Sequence, residues 1–219
     1  MKTPSDYSID LAYSYDNPQD LKRYYNDSAK EYDDFVDSVN YVLPARVVEA
    51  AKDYFKDQPE RVIDVGCGTG LVGVEMAKQF SLPIMQGVDI SPEMIYKSYD
   101  KRKEDGSRCY STLILADVTR KASLQSNHYG LMVSAGTFTV GHLKPMHFVY
   151  LLDSLVDGGL GVVSIKEDHY EKENFLGMFV ELDRDIKAIK LLELRTVDSY
   201  DNPEYSANSV IAIFQKTGL

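Results

Sequence analysis

Three glycines at alternate positions follow a short apolar run that contains an acid, in Val62-Ile63-Asp64-Val65-Gly66-Cys67-Gly68-Thr69-Gly70. Glycines at this spacing let the backbone turn sharply and approach a ligand with no Cβ in the way. The helical stretch Leu71–Phe80 comes next, and its N-terminus would offer unpaired N–H groups to a polar or anionic ligand. Asp64 could hold a cationic amine or order water beside it. Asp89 closes the next apolar run, where a carboxylate can accept both hydrogen bonds of a ribose diol. Asp117 closes a third run, placed to receive an adenine amino group. Any one of these acids is more often a helix cap or turn former. Three acids closing three successive runs beside one glycine loop form a set, aligned along one edge of a sheet.

The elements that must position this set can be read from apolar periodicity. Residues 1–16 have no period and are expected to form a loose leader. Asn17-Pro18-Gln19-Asp20 reads as a helix start, and Tyr25, Ala29, Tyr32, Val36 and Val39 share one helical face. Pro44 opens a second helical stretch that runs to Phe55. Strands are expected at 61–65, 84–89, 112–117, 131–135 and 160–166. Ser91-Pro92-Glu93 caps a helix to about Lys103, Met146–Val156 stops at Asp157-Gly158-Gly159, and Glu171–Lys190 reads as one long amphipathic helix. Alternation of strand and helix implies right-handed crossovers and a parallel sheet. The last two strands, 191–197 and 209–215, have no helix between them and must be antiparallel neighbours. The expected fold is α/β: a Rossmann-like, seven-stranded, mostly parallel sheet with an antiparallel last strand, helices on both faces and an N-terminal helical lid. Residues 1–45 would form leader and lid, and 46–219 the main domain of a single-domain protein.

Composition narrows the partners. The chain has 219 residues, 44% of them apolar, and a net charge of −10. Residues 1–45 carry nine acids and four bases, so half the excess lies in the first fifth of the chain. Such a surface repels phosphate backbones, which argues against nucleic acid. Two cysteines are too few for a disulfide scaffold or a Cys-rich metal site, and no metal is expected. No signal peptide or 18-residue apolar run is evident, so no membrane partner and a cytoplasmic location are expected.

Two cofactor classes suit the glycine loop. Gly68-Thr69-Gly70-Leu71-Val72-Gly73 matches G-x-G-x-x-G, so an NAD(P)-dependent oxidoreductase must be weighed. That match begins two residues past the first glycine after the strand, and a reversed last strand is unusual for a dinucleotide domain. The pattern D-x-G-x-G-x-G with its downstream acids instead resembles motif I of the class I S-adenosylmethionine-dependent methyltransferases. From about residue 20 onward the chain looks most similar to the methyltransferase-like proteins typified by the Williams–Beuren-syndrome-region methyltransferase. Tyr24-Tyr25, Tyr32-Asp33, Leu43-Pro44, the run Val65–Gly73, Gly87–Met94 and Ser134-Ala135-Gly136-Thr137-Phe138 carry that resemblance.

The resemblance implies that Gly66, Cys67 and Gly68 contact the methionine part of S-adenosylmethionine and Asp89 its ribose. Ile90 and Met94 would sandwich the adenine, and Asp117 and Val118 would meet its edge. Ser134 and Gly136 would border the sulfonium, while Tyr25 or Tyr32 closes over from the N-terminal helices. His142, soon after the fourth strand, is the candidate base, against a plain role in fixing the turn before Pro145. His169 is a weaker candidate, and His128 and His147 read as structural or exposed. The expected activity is methyl transfer to a small-molecule acceptor, releasing S-adenosylhomocysteine, by a monomer or homodimer. A non-catalytic module that binds S-adenosylmethionine or S-adenosylhomocysteine is the other alternative. The leader and Tyr200–Asn208 would wall the acceptor site.

Overall fold

The computed structural model describes residues 9–12, 14–15, 17–55, 59–81 and 84–218. Much of the expected leader, residues 1–8, 13 and 16, lies outside them. The strands are β1 (Arg61–Val65), β2 (Ile84–Asp89), β3 (Thr112–Leu115), β4 (Tyr129–Phe138), β5 (Leu155–Lys166), β6 (Ile189–Asp198) and β7 (Asn208–Lys216). They form one seven-stranded sheet in the order β3-β2-β1-β4-β5-β7-β6. All neighbours from β3 to β5 pair in parallel, and β7 runs antiparallel to both β5 and β6. Six strands therefore point one way and one is reversed, as the missing crossover helix requires.

Burial on both faces explains why the central strands read as unbroken apolar runs. Side chains alternate between two cores. Ile63, Val65 and Met132 face one core with Phe148, Phe175, Phe179 and Phe214. Val62, Leu131 and Val133 face the other, under Val47, Val48 and Met76. The first core belongs to helices α7 (Pro145–Leu152), α8 (Glu167–Lys172) and α9 (Phe175–Val180). The second lies under α4 (Leu43–Tyr54) and α5 (Leu71–Gln79), with α6 (Pro92–Tyr99) beside them.

Of the expected leader, residues 9–12 and 14–15 are among those described. Ile9–Ala12 forms a helical turn, α1. Tyr15 lies against Gly141 so closely that a Cβ on that glycine would stand 2.3 Å from the Tyr15 carbonyl oxygen. Asn17 caps α2 (Pro18–Ser28), its side chain accepting from the N–H groups of Gln19 and Asp20. The shared face from Tyr25 to Val39 is split between α2 and α3 (Tyr32–Ser38), joined by a turn.

Three expected elements differ. The long helix over 171–190 is in fact α8, α9 and a π-helical turn, Glu181–Asp185, and Ile189 already belongs to β6. Asn174 causes the break: it adopts φ +53° and its side chain accepts the Gly177 N–H, starting a new helix. The helix over 146–156 ends at Leu152, because Leu155 is fully buried and pairs with Tyr129 in the sheet. Asp157-Gly158-Gly159 therefore lies within β5. The helix after Ser91 ends at Tyr99, four residues short of Lys103.

Phe148 is the hub of the first core, with ring contacts to Phe138, Phe179 and Phe214 at 6.2, 5.1 and 4.9 Å. Phe148→Ala should cost about 3–5 kcal/mol, the usual range for emptying such a site. Urea unfolding should show a lower midpoint at an unchanged slope, and a loss under about 1 kcal/mol would contradict this packing.

Candidate functional site

The site is built at the C-terminal ends of β1, β2 and β4, where ligands bind in open α/β sheets. The loop after β1 is pinned first: the N–H groups of Gly66 and Cys67 both donate to the Val88 carbonyl, at 2.9 and 3.0 Å. Gly66, Gly68 and Gly70 all have positive φ, which side chains other than glycine's rarely adopt. Gly66 is packed against β4, where a Cβ would meet Thr137 Oγ1 at 2.2 Å. A Cβ on Gly68 would meet nothing within 4 Å. Gly68 therefore presents bare backbone to the space above it.

That space is a cleft of about 790 Å³, counted to its mouth. On its floor Asp89 bridges two elements. One carboxylate oxygen accepts the Gly68 N–H at 3.0 Å, and the other accepts the Ser91 N–H at 2.8 Å. Burial pushes the Asp89 carboxyl up, and these backbone donors oppose that shift. Ile90, Met94, Val118, Ala116 and Leu143 make an apolar wall at one end. Asp117 lines it too, with one carboxylate oxygen accepting from the N–H and hydroxyl of Thr119 at 3.0 and 2.6 Å. Those bonds are the turn-forming role open to any acid after a strand.

Gly136, Tyr25, Tyr32 and His142 gather at the other end. Gly136 has φ +75° and its N–H donates to Ser164 Oγ at 3.0 Å. His142 Nδ1 lies 2.9 Å from the Val140 carbonyl, which can only accept, so this nitrogen carries the proton. Nε2 is then an acceptor, and it receives the Tyr25 hydroxyl at 2.8 Å. Burial lowers the His142 ring to about 4, so it is neutral at pH 7. Burial raises the Tyr32 hydroxyl far above its ordinary value, reinforced by Tyr200 and Asp33. Two latches hold the N-terminal helices over the cleft: Ser91 Oγ to Asn26 Oδ1 at 2.7 Å, and Lys101 to Asp33 at 2.8 Å.

Three of the expected site residues stand outside the cleft lining. Asp64 faces away, fully buried, and accepts the Tyr110 hydroxyl at 2.7 Å. Its Oδ1 has no partner among the described residues. Cys67 is buried beside Ser98, with Sγ 3.7 Å from its hydroxyl, and burial pushes its thiol well up. Ser134 donates to the Val65 carbonyl at 2.8 Å and joins β4 to β1. Gly73, the last glycine of the G-x-G-x-x-G match, packs under Tyr110 with its N–H donating to that hydroxyl at 2.9 Å. His169 is buried and donates to the Leu143 carbonyl at 2.8 Å, and His147 accepts the Lys144 N–H at the start of α7.

Leu21, Thr137 and Leu143 line the cleft without having been singled out as ligand contacts. Leu21 had a signal, since it lies one helical turn before Tyr25. Thr137 and Leu143 had none beyond closeness to Gly136 and His142. A second cavity of about 580 Å³ adjoins the first and shares Tyr25, Tyr32 and Gly136 with it. Tyr41, Tyr200, Lys166 and Thr139 are among the residues that close it. The 199–207 loop reaches this wall by pairing with the α3–α4 connection, Val42 N–H to Ser199 O at 3.0 Å and Asp201 N–H to Asn40 O at 2.9 Å.

Comparison with known proteins bears on the fold and on part of the chain. Residues 62–158 match the family model of a methyltransferase domain. A malonyl-(acyl-carrier protein) O-methyltransferase of Priestia megaterium is 30% identical over 122 residues, which take in 56% of this chain and 42% of that protein. Malonyl-(acyl-carrier protein) O-methyltransferase 2 of Ilyobacter polytropus is 25% identical over 182 residues, 81% of this chain and 66% of that protein. The chain thus spans less than two thirds of the length of these curated relatives. A TehB-like S-adenosylmethionine-dependent methyltransferase of Corynebacterium glutamicum has the same fold, with a TM-score of 0.57 at 20% identity over 92% of this chain and 100% of that one. No helix among the described residues is long and apolar enough to cross a membrane.

The buried acid beside the site makes a test of its own. Burial holds the Asp64 carboxyl up to about 7, against about 4 in an unfolded chain. Between these values the folded protein keeps a proton that the unfolded chain has released. Asp64 therefore makes stability fall as pH rises from about 4 to 7, with no further change above. His142 tilts the other way below pH 6.5, so only the difference between variant and parent isolates Asp64. Asp64→Asn should gain on the parent by on the order of 3 kcal/mol across that window. Urea unfolding at pH 4.5, 6 and 8 checks this, and a pH-independent difference would refute it.

Proposed function

We propose that this chain, whose methyltransferase domain has the class I S-adenosylmethionine-dependent fold, transfers a methyl group to a small-molecule acceptor. The observation that carries the reading is the pairing of two adjoining spaces. One has a bare glycine floor and the Asp89 carboxylate, and among the described residues the other meets it where Tyr25, Tyr32 and Gly136 stand. Within the class, the motifs from Tyr24-Tyr25 to Phe138 support placing it with the Williams–Beuren-region methyltransferase-like proteins. The relatives named for O-methylation support oxygen as the atom methylated.

The residues present fit the cofactor. Gly68 leaves room for a ligand against its backbone, and Asp89 offers a carboxylate that a ribose diol can reach. Ile90, Met94 and Val118 would hold the adenine on apolar surface, with Asp117 at its edge. S-adenosylmethionine supplies an electrophilic methyl group on a sulfonium, whose displacement is in line, so positioning can carry most of the rate. Tyr25 and Tyr32 exclude water from the point where the two spaces meet, and Gly136 borders it without a side chain. His142 orients the Tyr25 hydroxyl by accepting its proton in a hydrogen bond. A ring held to about 4 is a poor store for an acceptor's proton at neutral pH. His142 therefore acts by placing Tyr25, and the site suits acceptors that arrive already deprotonated.

A role in binding alone would suit a filled acceptor space. Phe138, which could have filled it, is instead fully buried in the core, and Tyr200 lines the adjoining cavity. A cytoplasmic location is the simplest setting for two buried free cysteines.

Calorimetric titration with S-adenosylmethionine, S-adenosylhomocysteine and NADH tests the cofactor. Micromolar binding of the first two without NADH is expected, and NADH binding alone would overturn the reading. Asp89→Ala should weaken S-adenosylhomocysteine by about 1.5–3 kcal/mol, the scale of hydrogen bonds to a charged group. An unchanged dissociation constant would remove Asp89 from the ribose.

A further inference from the structure

Tyr110 is buried behind the glycine loop and is not among the described residues that line the cleft. Its backbone is anchored on both sides. The Cys109 N–H donates to the Lys101 carbonyl at 3.2 Å, and the Ser111 N–H and hydroxyl both donate to the Met85 carbonyl at 2.8 Å. Three glycines form the slot for its ring: Gly70 at the end of the loop, Gly73 in α5 and Gly87 in β2. A Cβ on Gly70 would stand 3.1 Å from the ring and one on Gly87 3.0 Å, while one on Gly73 would overlap it. The ring thus lies against the loop, the helix that follows it and the neighbouring strand at once.

The hydroxyl adds what a ring alone would not. Gly73 is the third residue of α5, and its N–H is one of those that a helix start leaves without a partner inside the helix. Gly70, at the N-cap, has no side chain to supply one. The Tyr110 oxygen accepts the Gly73 N–H at 2.9 Å, and its own proton goes to Asp64 Oδ2 at 2.7 Å. An N–H can only donate, so the direction of both bonds is fixed. Burial pushes the Tyr110 phenol well above its ordinary range, and it keeps this proton.

We infer that Tyr110 is a positioning residue for the cofactor: its hydroxyl, held by Asp64, caps α5 from outside and fixes the far end of the glycine loop. The inference rests on the methyltransferase reading above and adds a residue to it. The near end of the loop is held by the Val88 carbonyl, by Asp89 and by Ser98, whose hydroxyl donates to the Gly68 carbonyl at 2.6 Å. Gly70 then closes the turn, its N–H donating to the Cys67 carbonyl at 2.8 Å, and the chain enters α5. The Tyr110 hydroxyl supplies that end with the cap its own residues lack. Packing alone does not call for these polar atoms. Tyr110 sits in a core with Val72, Met76 and Met85, where a phenyl ring would serve, and a buried carboxyl is costly. Asp64 Oδ1 has no partner among the described residues, so the pair is not the fully satisfied network that rigidifies a core by itself. What the pair gains lies at the helix start, and through it at the loop.

The test uses the whole chain at pH 6, where the Asp64 carboxyl, held up to about 7, is mostly protonated and Tyr110→Phe leaves no bare carboxylate. Calorimetry should show Tyr110→Phe binding S-adenosylhomocysteine at least about tenfold more weakly than the parent, the scale of one buried hydrogen bond. Tyr129→Phe is the reference, since Tyr129 is also buried but donates to Gln86 Oε1 at 2.7 Å from the start of β4, at the other edge of the sheet. Its binding should stay within about threefold of the parent, as for a distant, independent site. The NMR signal of the Gly73 amide proton should move upfield in Tyr110→Phe and hold its place in Tyr129→Phe. Equal binding by Tyr110→Phe and the parent, equal losses in the two variants, or an unmoved Gly73 signal would overturn the inference. Should Tyr110→Phe not fold, Asp64→Asn combined with Tyr110→Phe is compared with Asp64→Asn alone, and the same loss is expected, its absence again overturning the inference. A parent that fails to bind S-adenosylhomocysteine removes the methyltransferase reading and the inference with it. A parent that binds it as tightly as Tyr110→Phe does removes the inference alone.

Discussion

The Asp89 carboxylate is the joint on which the site depends. It takes the Gly68 N–H from the loop after β1 and the Ser91 N–H from the start of α6. Ser91 in turn caps α6 through the Met94 N–H and reaches Asn26 on α2. One side chain thus sets the height of the glycine loop, the start of the helix that walls the cleft, and the seat of the N-terminal helices. The group is costly to bury, and burial raises its pKa. The donors that oppose this rise are themselves fixed backbone, so the polarity of the cleft floor is built before any ligand arrives.

Much of this was legible from residue types because local chemistry decides it. Glycines at positive φ, an acid ending β2, and an Asn-Pro helix start each follow from the neighbours along the chain. The reversed strand was legible too, since nothing between 199 and 207 could form a crossover helix. What sequence order hides is which face a residue takes and which distant partner covers it. Asp64 lies between Ile63 and Val65, which point into the opposite core, and it meets Tyr110 from beyond α6. Ser134 and Cys67 are drawn into strand-to-strand and loop-to-helix packing for the same reason. Asn174 broke a periodic pattern that looked continuous because Tyr170 before the break and Phe175, Phe179 and Leu182 after it pack on one core.

The two cavities differ in how they are assembled. Most of the first cleft comes from the C-terminal ends of β1, β2, β3 and β4 and the turns that follow them. The adjoining cavity draws Tyr41 from the α3–α4 connection, Lys166 from β5 and Tyr200 from the loop after β6. No short motif could reveal a wall made of three segments so far apart. Among the described residues Tyr25 and Tyr32 are the aromatic side chains shared by the two spaces.

The reversal of β7 has a consequence for how such a protein can diversify. A crossover helix would carry the chain to the far edge of the sheet, but here it turns back at the rim and leaves a loop, 199–207, on the site itself. That loop hangs between two paired strands which hold their register without it. Its length and residues can change while the glycine loop and its bonds to Asp89 stay untouched. The rim loop and the floor of the cleft are in this architecture separately heritable parts.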